Sequence, residues 1–303
     1  MVDICYNGFG AWCAAYAFLN TTQCSDVSPE LYELLSGVPF GIKYNSDNKS
    51  RLLSPFIEPC LRVKAVSQIL GYSAKLSRFK EISEAVYYLS SMDCGKRVMI
   101  GPIDMGHLEY LPLNMYYIKQ SHYISVEKQK DDKYCVTDSE AILLSVCSDE
   151  YLSGIINVSN IPEAENNINI WEFELLTNRT KTSEYTDIIC REASKNLMSA
   201  EEAGQGSSAI LRCADFLEDM DTSHPDLRLY HEFNYVLQRK LLALSRFRCC
   251  NKFQTGVLEK QINIFCHIRD SVIRNEKMDC SLLRLAADYE YELANSMQGI
   301  RRL

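Results

Sequence analysis

Asn7-Gly8-Phe9-Gly10-Ala11-Trp12-Cys13-Ala14-Ala15-Tyr16-Ala17-Phe18-Leu19-Asn20 is the stretch on which the reading of this chain turns. A glycine-bearing loop runs into small and aromatic residues, and a cysteine sits at the junction. From Trp12 onward the apolar positions form neighbouring stripes, Trp12, Tyr16 and Leu19 beside Cys13 and Ala17. That pattern predicts a helix buried nearly all round. Gly8 and Gly10 let the preceding loop turn sharply. Cys13 then stands in the first turn, where unsatisfied N–H groups and the positive end of the helix dipole favour a thiolate. Taken alone, a cysteine on an apolar helix reads as core. The residues that change this lie far downstream.

Ser121-His122-Tyr123-Ile124-Ser125-Val126-Glu127 alternates and is β-branched, and so predicts a strand. Lys130-Asp131-Asp132-Lys133 reads as a turn, and Tyr134-Cys135-Val136-Thr137-Asp138 as the returning strand. A turn centred on Asp131 and Asp132 pairs residues whose numbers sum to about 262. His122 and Asp138 are then diagonal neighbours on one face, about 7–8 Å apart between backbones. A slip of one residue would separate them. Cys13, His122 and Asp138 thus form a candidate catalytic set. The imidazole deprotonates the thiol and shuttles its proton, and the carboxylate sets the imidazole's tautomer and orientation. Asn7, on the loop before Cys13, is the candidate oxyanion residue, acting with the Cys13 backbone N–H.

The remaining first half reads as short helices and strands. Ser28-Pro29-Glu30 has the order of a helix start, and Gly37 ends that helix. Pro39-Phe40-Gly41-Ile42-Lys43-Tyr44 reads as a turn into a short strand whose rings can line a pocket. Helices are predicted over 60–70 and 80–92, and strands over 72–76, 97–100 and 170–176. Asp104, in the segment after that second strand, can orient a substrate amine or cap a turn. After Thr177 helical periodicity takes over, with helices predicted at 184–198, 205–220, 226–250, 254–274 and 279–298. The expected class is α+β, with a mostly antiparallel sheet in a domain over 1–176 and an all-helical domain over 177–303 that caps the site.

Composition narrows the function. The chain has 303 residues, 47% hydrophobic and 24% charged, enough for an ample core. No apolar run approaches the roughly 20 residues of a membrane span. The first residues lack the order of a signal peptide, so a cytoplasmic location is expected. Thirteen cysteines without a CxxC pair read as reduced thiols, with neither a disulfide framework nor a metal site. Net charge −8 and pI near 5.3 argue against nucleic acid and suit a cationic small molecule. An acidic protein partner would need a basic dock, for which Arg239, Lys240, Arg246 and Arg248 are the candidates. Glu290 and Glu292 read as a solvated helix flank or, alternatively, as contacts for a substrate cation. His224, His231 and His267 read as loop or helix residues without a catalytic role.

The motifs also carry a resemblance. An amide residue ahead of the cysteine and a later His–Asp hairpin resemble papain-like and bacteriocin-leader-type cysteine peptidase domains. More closely, four features resemble the butirosin-biosynthesis protein H (BtrH) family. They are Gly10-Ala11-Trp12-Cys13-Ala14-Ala15, Gly37-Val38-Pro39-Phe40-Gly41, Gly101-Pro102-Ile103-Asp104-Met105-Gly106-His107-Leu108, and the His122 and Asp138 strands with a helical C-terminal half.

That resemblance implies a papain-like first domain. It implies acyl transfer from an acyl carrier protein thioester to the amine of an aminoglycoside-like natural product, through an acyl-Cys13 intermediate. No cofactor is expected beyond the carrier's phosphopantetheine arm. Gly10, Trp12, Phe40, Tyr44, Asp104 and His107 are the candidate substrate contacts. Two departures stand out: Asn7 replaces the usual Gln of the peptidases, and Ser139 follows the acid where Pro is common. Two other readings stay open, a hydrolase of the same fold (thioesterase or peptidase) and an inert carrier-interaction module.

Overall fold

The structure, a computed structural model, describes residues 12–46, 52–111, 120–131, 133–139, 145–158, 164–176, 178–220, 227–248 and 255–297. It is α+β. In chain order come α1 (Cys13–Thr22), α2 (Pro29–Ser36), β1 (Ile42–Tyr44), β2 (Leu53–Pro55), α3 (Val63–Ile69), β3 (Tyr72–Phe79), α4 (Ile82–Ser90) and β4 (Arg97–Asp104). They are followed by β5 (Ser121–Lys128), β6 (Lys133–Thr137), β7 (Ser145–Ser148), α5 (Asp149–Ile155) and β8 (Ile168–Leu175). The helices α6 (Tyr185–Glu202), α7 (Ser207–Asp219), α8 (Leu227–Phe247), α9 (Thr255–Ile273) and α10 (Cys280–Ser296) complete it. All five of these match helices expected from periodicity. Contacts divide the chain into two units, Met1–Glu33 with Pro59–Lys181, and Leu34–Glu58 with Thr182–Leu303.

The first unit is built on a six-stranded sheet in the order β3-β8-β4-β5-β6-β7, and every pairing is antiparallel. One face carries Ile100, Ile124, Val126, Val136, Ile168 and Ile170, packed with Ala85 and Leu89 of α4 and Leu152 and Ile155 of α5. Each such branched side chain contributes about 1.5–3 kcal/mol on burial, which sets which face turns inward. The central helix α1 is buried from Ala14 to Thr21, as its all-round apolar pattern requires. Its Phe18 meets Phe173 of β8 edge-on at 4.9 Å, and the Thr21 and Ser125 hydroxyls are hydrogen-bonded at 2.9 Å.

The β5–β6 hairpin has the expected register. Ser125 pairs with Thr137 and Val126 with Val136, each pair of numbers summing to 262. Strand β4 runs on to Asp104, beyond the expected end at Ile100, and shifts register between Ile100 and Ile103. Gly101 permits this. Its φ is +154°, and a Cβ there would lie 2.8 Å from the His122 carbonyl oxygen and against the Tyr123 ring. Locally, Gly-Pro signals a break; the neighbouring strand keeps the segment in the sheet. β2, β7 and α5 were not legible from the sequence. All three are short, and β7 is an edge strand paired with β6 alone.

In the second unit the β1–β2 pair packs with α6, α7 and α8. Phe40 is 2% exposed and stacks on Phe247 of α8 at 5.3 Å. Residues 34–58 therefore cluster with the helices, whereas a single boundary at 176/177 had been expected. An apolar turn such as Pro39 to Ile42 must be buried somewhere, and its local sequence does not say against which core. No helix among the described residues is long and apolar enough to cross a membrane.

Candidate active site

Cys13 is the first residue of α1, and no side chain caps that helix start. Its N–H is one of the four that a helix leaves without an intrahelical partner. Element lengths bring the cysteine level with His122. From Thr21 back to Cys13 the helix covers about 12 Å, and from Ser125 back to His122 the strand covers about 10 Å. With Thr21 and Ser125 tied together, the sulfur and the imidazole arrive at the same end of the sheet. There the Cys13 side chain lies close enough to His122 to raise its pKa.

His122 and Asp138 are each 2% exposed, and His122 Nε2 lies 2.7 Å from Asp138 Oδ1. With Nε2 engaged by the carboxylate, Nδ1 is the nitrogen left for Cys13. The other carboxylate oxygen, Oδ2, accepts from the Tyr110 hydroxyl at 2.6 Å. Burial works against a charged imidazole here. The Asp138 carboxylate, by charge and by hydrogen bond, and then Cys13 outweigh it, holding the His122 pKa well above its ordinary value. The shift favours the protonated imidazole, held by the Asp138 carboxylate. A proton can pass between sulfur and ring without entering solvent, which is what a thiol nucleophile requires.

The other candidate residues are dispersed. Asn7 and Gly10 lie outside the described residues. Trp12 is half-buried beside Cys13, and its buried indole N–H meets no acceptor among the described residues. Asp104 is wholly buried and caps a 3₁₀ turn over Met105–His107, its Oδ1 accepting from the Gly106 N–H at 2.9 Å. That is one of the two roles expected for it. His107 Nε2 stands 3.9 Å from Asp104 Oδ2, beyond hydrogen-bond reach. Phe40 and Tyr44 belong to the second unit. The Phe40 ring is part of that unit's core, and the Tyr44 ring lies under the Arg212 guanidinium. Tyr110 was missed: its role depends on Asp138, and nothing in its own neighbourhood marks it.

Two expectations about charge are corrected. Arg239 and Lys240 are 5% and 3% exposed, so they cannot form a surface dock. They fall on the broad buried face of α8 with Val236, Leu237 and Ala243. Arg246 donates to Thr186, and the exposed Arg248 is paired with Glu259. Glu290 is no solvated flank: it is fully buried, ion-paired with Lys240, and accepts from Gln261 at 2.9 Å. An uneven apolar helix pattern hid both members of this pair. Cys13, Cys24, Cys94, Cys135, Cys266 and Cys280 are free thiols. Burial pushes the Cys24, Cys135 and Cys280 thiols up in pKa.

A shallow groove of about 490 Å³ along α4, lined by Phe79, Ser83, Glu84, Tyr87, Tyr88 and Ser91, shares no residue with Cys13, His122 and Asp138. It gathers no comparable set of reactive groups. No family model matches the chain, and no curated protein matches it. Among the described residues no group of three or more His, Cys, Asp or Glu is placed to hold a metal ion.

Proposed function

We propose that this protein is a papain-like cysteine acyltransferase that moves an acyl group from a carrier-protein thioester to the amine of a small cationic natural product. The observation that carries the reading is the chain Cys13–His122–Asp138–Tyr110, with His122 and Asp138 buried at its centre. A helix-start cysteine against an antiparallel sheet, with the histidine on β5 and the acid just past the end of the adjacent β6, supports the papain-like comparison. The resemblance of the motifs to the BtrH family supplies the acyl-transfer chemistry and the carrier. The net charge of −8 favours a cationic acceptor.

In the proposed reaction Cys13 Sγ attacks the thioester carbonyl, and its proton resides on His122. The carbon–sulfur bond to the phosphopantetheine arm breaks, and the departing sulfur takes that proton. The acceptor nitrogen then attacks the acyl-Cys13 carbonyl and loses a proton to His122. As the bond to Cys13 breaks, the proton returns to its sulfur and an amide is released. The free N–H groups at the start of α1 supply donors for the transient oxyanion.

Intact-protein mass spectrometry tests this. With an acyl thioester, the wild type should gain the acyl mass and Cys13→Ala should not. Adding a small polyamine should then release an amide. Release of free acid alone, with amine present, would mean a hydrolase. Absence of any adduct would mean a non-catalytic module.

A further inference from the structure

A buried cation with no carboxylate partner among the described residues lies in the second unit. Arg239 of α8 is 5% exposed, and its Nε and Nη1 atoms have no hydrogen-bond partner among the described residues. Among the described residues no carboxylate lies within ion-pair distance of it. Its guanidinium lies 3.6 Å from the centre of the Tyr235 ring. The neighbouring Lys240 is matched by Glu290, so the local charge sum remains one positive. Withdrawing such a charge from water costs more than a stacked tyrosine returns. The remainder calls for an anion.

Arg239 lines a small cavity with Pro39, Gly41, Ile42, Ser54, Tyr235 and their neighbours. Its volume is about 10 Å³, room for a single small occupant. Ser54 Oγ accepts from Asn45 Nδ2 at 3.0 Å, which leaves its own O–H to donate. The cavity thus offers a permanent cation and a spare hydroxyl donor, and it is too small for a phosphate, a sulfate or an organic acid. We propose that Arg239 and Ser54 hold a single monatomic anion of chloride's class, which locks the β1–β2 pair onto α8. A water molecule would fill the space but leave the charge unanswered.

Thermal unfolding of the full chain in sodium chloride and in sodium gluconate at equal ionic strength tests this. Gluconate is too large to enter. The wild type should show a saturable rise in Tm with chloride, about 3 °C at tenfold excess over the dissociation constant. Arg239→Met should lose the difference between the two salts. Equal Tm values for the wild type in both salts, or a difference that survives Arg239→Met, overturns the proposal. Should Arg239→Met not fold, crystals of the wild type soaked in bromide decide. An anomalous peak against the Arg239 guanidinium supports the site, and water density without one rejects it.

Discussion

Tyr110 donates its hydroxyl to Asp138 Oδ2 at 2.6 Å, on the opposite oxygen from the one facing His122. The carboxylate is thereby held at both ends, and the imidazole inherits its orientation. Hydrogen bonds to a charged acceptor are worth about 1.5–3 kcal/mol. Tyr110→Phe keeps the ring's packing and removes the bond. We expect stability to fall by about that amount, and acylation of Cys13 to slow about tenfold. Because Tyr110 acts through Asp138, the histidine's titration should also shift, read by NMR of the imidazole. An unchanged titration with slowed acylation would assign Tyr110 to substrate contact instead.

Alkylation should single out Cys13. At pH 6 an ordinary thiol is almost wholly protonated, and burial makes Cys24, Cys135 and Cys280 poorer still. Cys13 has His122 beside it to take its proton. Iodoacetamide at pH 6, followed by peptide mapping, should modify Cys13 well ahead of the exposed Cys94. His122→Ala should erase that preference. Equal labelling of Cys13 and Cys94 in the wild type would count against an active thiol–imidazole pair.

Stability should depend on pH through His122. Its folded-state pKa lies well above the unfolded value of 6.5, since Asp138 and Cys13 outweigh the opposing effect of burial. Above pH 6.5 the folded chain therefore binds more protons than the unfolded one. The resulting stabilisation is complete below that pH and is lost as pH rises through the folded pKa. The difference in Tm between wild type and His122→Gln, measured from pH 6 to 10, should shrink steadily upward. A difference that grows with pH would contradict the assigned shift.

Gly101 should tolerate no side chain. A Cβ there meets the His122 carbonyl oxygen at 2.8 Å and the Tyr123 ring, with φ at +154°. Gly101→Ala must push β4 from β5 where His122 is held. A loss of about 1–3 kcal/mol is expected from the strained backbone, with reduced Cys13 labelling as the sign that His122 has shifted. Gly95→Ala serves as the comparison. Nothing lies within 4 Å of a Cβ at that position, though its φ of +86° carries backbone strain of its own. Unaltered labelling in Gly101→Ala would show that the site does not depend on this close approach.

Much was legible before any coordinates, and for local reasons. A helix of period 3.6 and a strand of period 2 write themselves into the order of apolar residues. The run from Trp12 to Leu19, the five helices after Thr182 and the β5–β6 hairpin were therefore all readable. The hairpin register followed from its turn, and with it the nearness of His122 to Asp138. Cys13, too, could be placed at its helix start from neighbouring residues alone.

Contacts between distant segments obey no such period. Tyr110 on Asp138, Phe40 in the core of the helical unit, and Lys240 against Glu290 each depend on which surfaces the chain brings together. In the one-dimensional record, Arg239 and Lys240 differ in nothing from solvated cations. Burial, which makes one of them an ion-pair partner and leaves the other without a carboxylate among the described residues, is a property of neighbours supplied from elsewhere in the chain. Periodicity is local and additive, so order along the chain suffices for it; charge compensation and hydrogen-bond closure are decided in three dimensions, where the packing determines who is adjacent.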